Sequence, residues 1–186
     1  RTADLIDSFT RFWDFIDGWR ITVLSLPTAF WHELVGHLSL HVGPWPGSLR
    51  VVFIGGERAL PAILRQWHKI VPMGIQLFNT YGQTECTAVT TRCVLESSDS
   101  EIVPIGRAVD NVDLRILDEN GCPAAQGELY VGGAGLGRGY LNQPELTAQK
   151  FVSLDGARYY RTGDLVRRNA EGLLEYVCRA DSQLKI

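Results

Sequence analysis

The first half of the chain opens on a helical pattern of apolar side chains. Apolar residues recur there at spacings of three and four, at Leu5, Phe9, Phe12, Trp13, Ile16 and Trp19. This spacing predicts a helix over 5–19 with one apolar face.

Short apolar runs follow, separated by stretches with helical character. Three such runs predict buried strands, at 21–26, 49–54 and 75–78. Thr28 is placed to cap a helix that runs to about residue 40, and Pro61 is placed to begin one that runs to about residue 71. The alternation of strands and helices predicts a mostly parallel sheet covered by helices.

The pattern changes after about residue 100. Apolar and polar residues alternate over 112–117, and the Asn-Gly pair at 120–121 is typical of a hairpin turn. Two further short strands, at 127–131 and 173–177, are interrupted only by a short predicted helix at 144–151. We therefore predict an α/β sheet lobe over 1–102, followed by a small β-rich, barrel-like lobe over 103–181.

Composition narrows the function classes. The 186 residues are 45% hydrophobic and 21% charged, which excludes intrinsic disorder. The net charge of −3 offers no excess of cations to a phosphate backbone, so we expect no nucleic-acid partner. No apolar run reaches transmembrane length, so we expect no membrane partner. Four scattered cysteines favour reduced thiols and a cytoplasmic protein.

The stretch 79–85 carries the sharpest group of candidate ligands, just past the end of a predicted strand. Ligands of open α/β sheets bind beyond the carboxyl ends of the strands. Tyr81 offers an aromatic face for a base, Thr84 a hydroxyl for a phosphate, and Glu85 a carboxylate for magnesium. Taken singly, each is better explained as an ordinary loop residue, and the group as a whole is explained equally well by either interpretation.

Two other stretches have competing explanations. Asp164 follows a predicted tight turn at 159–163, where it could accept hydrogen bonds from ribose hydroxyls or simply bond its own backbone. The glycine run at 132–139 lacks the Gly-Lys-Ser/Thr of a phosphate-binding loop and the dinucleotide spacing, which favours a tight connection between strands.

The order and wording of six motifs resemble one enzyme family. They read NTYGQTE at 79–85, PIGR at 104–107, GELYVGG at 127–133, GYLNQPELTA at 139–148, YRTGDL at 160–165 and RADSQLKI at 179–186. Together they closely resemble the amino-acid adenylation domains of nonribosomal peptide synthetases, which are adenylate-forming enzymes. The resemblance covers essentially the whole chain.

The resemblance implies ATP and Mg²⁺ as cofactors, with a phosphopantetheine-bearing carrier protein as partner. It implies catalytic roles for Thr84 and Glu85, with Glu85 also binding the metal. The nucleotide contacts it implies are Gly56, Glu57, Asn79, Thr80, Tyr81, Asp164, Tyr176 and Arg179. The substrate pocket it implies is Ser25, Phe53, Gly55, Thr80, Ala88 and Val89. Asp181 falls on the family's hinge, so 182–186 would begin the link to a further domain.

The chain also departs from the family pattern. Gln83 replaces the usual proline, and Cys178 stands where glycine is common. The family's phosphate loop and catalytic lysine lie outside the chain, so we expect it to be part of a longer protein and inactive alone. There are two alternative interpretations: a ligase of the aryl- or acyl-CoA synthetase type, and a non-catalytic structural fragment.

Overall fold

A computed structural model of the chain describes residues 8–41, 43–97 and 100–180. It divides into two compact units. Of the described residues, those up to Asn79 and those within 94–103 form the first unit, and Thr80–Cys93 with those from Pro104 onward form the second. The predicted domain bounds of 1–102 and 103–181 stay a prediction.

The first unit alternates helices with strands. Its helices are α1 (Phe9–Gly18), α2 (Thr28–Leu40) and α3 (Pro61–Ile70), and its strands are β1 (Val23–Pro27), β2 (Val51–Gly55) and the larger part of β3 (Gln76–Tyr81). Strand β1 pairs with β2 in parallel, and β2 lies next to β3. This is the predicted helix-covered sheet.

The helices begin where local chemistry favours them, with one correction. Ser8 caps α1 by accepting a hydrogen bond from the amide of Arg11, and Pro61 occupies the first turn of α3. The prediction that Thr28 caps α2 is wrong. Thr28 is the first helical residue, and its hydroxyl donates to the carbonyl of Gly55 at 3.1 Å, which ties the start of α2 to the end of β2.

Large aromatic side chains fill the core of the first unit. Trp31 on α2 and Trp67 on α3 are almost fully buried, and their ring centroids lie 6.0 Å apart. Leu34, Val35 and Ile54 are buried as well. Burial of aromatic rings of this size supplies much of the stabilisation of a small core.

The second unit is built mainly from antiparallel strands. They are β4 (Thr91–Val94, whose last residue belongs to the first unit), β5 (Arg107–Ala108), β6 (Val112–Leu117), β7 (Gln126–Gly133), β8 (Phe151–Leu154), β9 (Ala157–Arg168) and β10 (Leu174–Arg179). Five of these strands form one sheet, in the order β10-β9-β7-β6 with β8 paired to β9. The unit also holds a 3₁₀ turn (Thr84–Cys86) and helix α4 (Pro144–Lys150).

These strands confirm the predicted β-rich lobe. One local prediction, the tight turn at 159–163, is wrong. The stretch 159–164 is not a turn followed by an acid, because all of it lies within the twelve-residue strand β9. The register between β7 and β9 shifts opposite Leu129, where Gly163 adopts a φ of 73°. Asp164 therefore sits at a bulge in a central strand, and bulges redirect side chains in this way.

No helix within the described parts of the chain is both long enough and apolar enough to cross a bilayer.

Candidate functional site

The bulge in β9 places Asp164 at the centre of a hydrogen-bond network. Its side chain is fully buried. One oxygen, Oδ2, accepts hydrogen bonds from the hydroxyl of Tyr81 at 2.5 Å and from Nε2 of Gln83 at 2.9 Å. The other, Oδ1, accepts one from Nη1 of Arg179 at 3.1 Å. The fold thus brings together Tyr81, Asp164 and Arg179, three predicted nucleotide contacts that are far apart in the sequence.

A tight loop after β3 holds Tyr81 in this network. The carbonyl of Tyr81 accepts hydrogen bonds from the amide of Thr90 at 2.8 Å and from its hydroxyl at 3.0 Å. Gly82 is required next, because a Cβ there would lie 2.5 Å from the carbonyl oxygen of Ala88. The loop therefore folds back on the strand that it leaves, and the ring of Tyr81 is packed into the core of the second unit.

The electrostatics of the network keep the Tyr81 hydroxyl a donor. Burial raises the pKa of Tyr81 well above its ordinary value, and the charge of Asp164 and the hydrogen bond to it raise that pKa further. Tyr81 consequently keeps its proton across the working pH range. Arg179 adds a charge-assisted bond and also donates to the carbonyl of Thr162 at 2.9 Å.

A second carboxylate, that of Glu85, lies in the 3₁₀ turn and is held by two tyrosines. Its Oε1 accepts hydrogen bonds from the hydroxyl of Tyr140 at 2.6 Å and from that of Tyr160 at 3.1 Å. Its backbone carbonyl accepts a hydrogen bond from the amide of Gly137 at 2.7 Å. Glu85 is half-buried, so its carboxylate stays within reach of solvent.

The charge state of Glu85 follows from these contacts. Burial acts to raise the pKa of Glu85, but the hydrogen bonds from Tyr140 and Tyr160 and the charge of Lys150 outweigh it, so the pKa lies below its ordinary value. Burial raises the pKa values of both tyrosines, which therefore remain donors. Glu85 is thus an ionised carboxylate at neutral pH.

The side chains around Glu85 decide whether this site could hold a magnesium ion. Within residues 8–41, 43–97 and 100–180, no three His, Cys, Asp or Glu side chains cluster in a way that could hold a metal ion. Magnesium commonly needs only one or two protein carboxylates when phosphates and waters supply its other ligands. The ionised carboxylate of Glu85 fits such a shared site, with the hydroxyl of Thr84 exposed on the same turn.

The first unit carries part of the predicted substrate pocket. Ser25 on β1 is the register partner of Phe53 on β2, and Gly55 lies two residues further along β2, so all three share one face of the sheet. Phe78 on β3 stacks on Phe53 with ring centroids 5.1 Å apart. Phe78 was missed from the sequence, although its alternation with buried Leu77 and Asn79 could have indicated this face.

The other predicted site residues lie as follows. Gly56, with a φ of 88°, and Glu57 are exposed in the turn after β2, and Asn79 is buried in β3 with Thr80 beside it. Ala88 and Val89 are exposed in the loop before β4, and Tyr176 lies on β10 against the core of the second unit. The predicted hinge residue, Asp181, lies outside the described residues.

Sequence reasoning missed three side chains that contact the two carboxylates. Tyr140 and Tyr160 each stand in a quoted motif, but nothing in their local pattern links them to Glu85. Gln83 was noted only as a departure from the family pattern. In the structure its amide Nε2 lies 2.5 Å from the Tyr81 hydroxyl and 2.9 Å from Asp164.

The chain is similar in sequence to several known proteins. A family model described as "AMP-binding enzyme" matches residues 1–141. The isonitrile lipopeptide synthase of Streptomyces coeruleorubidus is 39% identical over 194 residues, which cover 100% of this chain and 12% of the relative. The dimodular nonribosomal peptide synthase of Bacillus subtilis is 38% identical over 181 residues, covering 92% of this chain and 7% of the relative.

Solved structures are similar over nearly the whole chain. A nonribosomal peptide synthetase protein containing adenylation and PCP domains superposes with a TM-score of 0.85 at 28% identity, covering 95% of this chain and 37% of that one. The structure of CmiS6 gives the same TM-score and identity, covering 97% of this chain and 45% of that one. The chain thus spans less than half the length of each of these structures and a small fraction of the two relatives.

Proposed function

The chain belongs to the family of AMP-binding enzymes, which are adenylate-forming ligases, and on this premise we propose that it supplies part of an adenylation site. The protein that carries it would activate an amino acid or a related carboxylic acid with ATP. A substrate carboxylate oxygen bonds to the α-phosphorus as the bond from that phosphorus to pyrophosphate breaks. The acyl group then passes to the phosphopantetheine thiol of a carrier protein, and AMP leaves.

The observation that carries this proposal is the meeting of Tyr81, Asp164 and Arg179 within the second unit. A carboxylate fixed on a strand is a suitable acceptor for ribose hydroxyls, and a guanidinium beside it attracts a phosphate. Tyr81 would present what remains accessible of its ring to the adenine. The roles proposed for Asn79, Thr80, Gly56, Glu57 and Tyr176 rest on the family resemblance.

Glu85 would hold magnesium, with Thr84 on the phosphates beside it. Magnesium, when bound, would neutralise charge on the phosphates. The protein's own contribution is to orient the carboxylate, since the hydroxyls of Tyr140 and Tyr160 fix Oε1. This arrangement leaves Oε2 as the oxygen best placed to meet a cation.

The sheet face of the first unit that bears Ser25, Phe53 and Gly55, with Phe78 as an added member, would supply part of the acid-binding pocket. The pocket roles proposed for Thr80, Ala88 and Val89 rest on the family resemblance. None of these side chains is charged, which favours an acid with an uncharged side chain. A carrier-protein partner is supported by the similar structure that contains a PCP domain. The four free cysteines support a reducing, cytoplasmic location.

Acid-dependent exchange of pyrophosphate into ATP by the intact protein tests the proposal. The assay compares amino acids, fatty acids and aryl acids. We expect exchange with at least one amino acid, and none with fatty or aryl acids. Asp110→Asn, a substitution of an exposed acid, is the control and leaves the rate unchanged. Exchange with fatty acids alone would point to an acyl-CoA synthetase instead, and no exchange with any acid would contradict an adenylation role.

A further inference from the structure

The carboxylate of Asp164 is nearly saturated by the protein's own donors. An ionised carboxylate has about four acceptor positions, two on each oxygen. Tyr81 and Gln83 fill both positions on Oδ2, and Arg179 fills one on Oδ1. The side chain is also fully buried, so a ligand has no open face from which to reach it.

A ligand with two adjacent hydroxyl groups cannot bind this carboxylate as it stands. Each hydroxyl donates one hydrogen bond, so a diol needs two acceptor positions, and the donors among the described residues leave one. At least one protein donor must therefore leave Asp164 before such a ligand can bind with both hydroxyls.

Two of the three donors are firmly held. The ring of Tyr81 is only 7% exposed, and its backbone carbonyl is bound by Thr90, the residue before β4. Arg179 carries a full charge opposite Asp164, and its guanidinium is also bonded to the carbonyl of Thr162. Removing either donor would leave a buried charge or a buried hydroxyl without its partner, which is costly.

Gln83 is the donor that can leave. It is half-buried, and its backbone is anchored separately, because its carbonyl accepts hydrogen bonds from the amides of Cys86 and Ala88 at 3.0 Å. Its side-chain Oε1 is buried without a hydrogen-bond partner among the described residues. A buried acceptor without a partner is unfavourable, so rotation of the amide into solvent recovers part of what is lost at Asp164.

We propose that the amide of Gln83 occupies the place of a ligand hydroxyl on Asp164 and must withdraw before a vicinal diol binds, so that Gln83 lowers the affinity of the site for such ligands. The proposal rests on the proposed function, in which the diol is the ribose of a nucleotide. Gln83 is then an affinity-setting residue that competes with the ligand.

Calorimetric titration of the intact protein tests the proposal, with ATP and 2′,3′-dideoxy-ATP as the two ligands. Gln83→Ala removes the competing amide, and Gln126→Ala, an exposed glutamine on β7, is the matched control. We expect Gln83→Ala to bind ATP about two- to tenfold more tightly, the factor that corresponds to one net hydrogen bond. The affinity for dideoxy-ATP should not change, because that ligand has no ribose hydroxyls to donate to Asp164.

Either of two results would overturn the proposal. Unchanged ATP affinity in Gln83→Ala would show that the amide does not compete. Weaker ATP binding, with lost discrimination between the two nucleotides, would show that Gln83 binds the ligand or supports Asp164. Gln83→Asn, whose shorter amide cannot span both Tyr81 and Asp164, provides the same comparison if the alanine variant does not fold.

The wild-type protein separates this inference from the proposed function. If the wild type binds ATP and dideoxy-ATP equally, or binds neither, then Asp164 does not bind ribose and the proposed function fails at this residue. If the wild type prefers ATP and Gln83→Ala shows no gain, only the role of Gln83 is wrong.

Discussion

The two carboxylates of the candidate site in the second unit, those of Asp164 and Glu85, have contrasting surroundings. Both accept hydrogen bonds from tyrosine hydroxyls. Asp164 is fully buried and opposed by the guanidinium of Arg179, whereas Glu85 is half-buried and, among the described residues, its side chain is bound on Oε1 alone. Asp164 therefore stabilises the fold and is also the acceptor that a ligand would use. Glu85, by contrast, is positioned by the fold and stays accessible.

The largest effect should come from removing the charge of the buried acid. Asp164→Asn leaves Arg179 without its counter-charge and turns one acceptor into a donor that faces other donors. We expect the free energy of unfolding to fall by about 3–5 kcal/mol, the cost of breaking a buried ion pair. Urea denaturation of the intact protein measures this, with Asp110→Asn as the exposed control. Equal losses in the two variants would contradict a structural role for the buried charge.

The tyrosines offer a matched pair. Tyr81→Phe removes a buried donor to a charged acceptor, and we expect it to cost about 1.5–3 kcal/mol of stability. Tyr140→Phe should cost about 1 kcal/mol, because water can replace its hydroxyl on the half-buried Glu85. Thermal unfolding of both variants, run side by side, provides the measurement. A larger loss for Tyr140→Phe would reverse the ranking of the two acids.

Glu85→Gln should act on magnesium rather than on stability. The substitution keeps the volume and removes the charge that would face the cation. We expect the apparent affinity for magnesium in pyrophosphate exchange to fall by about tenfold or more, by analogy with metal sites that lose one supporting group. Calorimetric binding of ATP with and without magnesium provides a second readout. An unaltered magnesium dependence would remove Glu85 from the site.

The smallest effect should be seen at Cys86, which reports the charge of its neighbour. Burial, together with the charge of Glu85, raises the pKa of Cys86 to about 12. At pH 8 we expect iodoacetamide to modify exposed Cys122 and Cys178 well before Cys86. Glu85→Gln should raise the alkylation rate of Cys86 by less than about tenfold, since burial still dominates. Peptide mass spectrometry, with Cys122 as internal reference, measures this alkylation rate. An unchanged rate would contradict an effect of the Glu85 charge on Cys86.

Elements with a strong local pattern were predictable from the sequence. Helix α1 and strand β6 lie within the segments where periodicity placed them, and α3 begins at Pro61 as predicted. Strand β9 was missed for a physical reason. Its Thr-Gly-Asp sequence favours a turn locally, and only pairing with β7 and β10 on both sides keeps this segment extended around the bulge.

The residues of the candidate site could be named from the sequence, but the contacts among them could not. Tyr81, Asp164 and Arg179 were named through family motifs, yet their mutual contacts span more than eighty positions of sequence. The position of Gln83 depends on the same long-range packing, since its amide reaches across to β9. Periodicity and turn chemistry describe neighbours within a few residues, and they carry no information on such contacts.

The glycine run at 132–139 has a further consequence for anyone who builds chimaeras from proteins of this kind. A Cβ at Gly135 would lie 3.2 Å from the carbonyl of Cys86, and one at Gly137 would lie 3.2 Å from the carbonyl of Glu85. The loop and the 3₁₀ turn that holds Glu85 are therefore fitted backbone to backbone. A Cβ at either position would require the neighbouring carbonyl to shift by a few tenths of an ångström. A chimaera should therefore take the turn and the loop from the same parent.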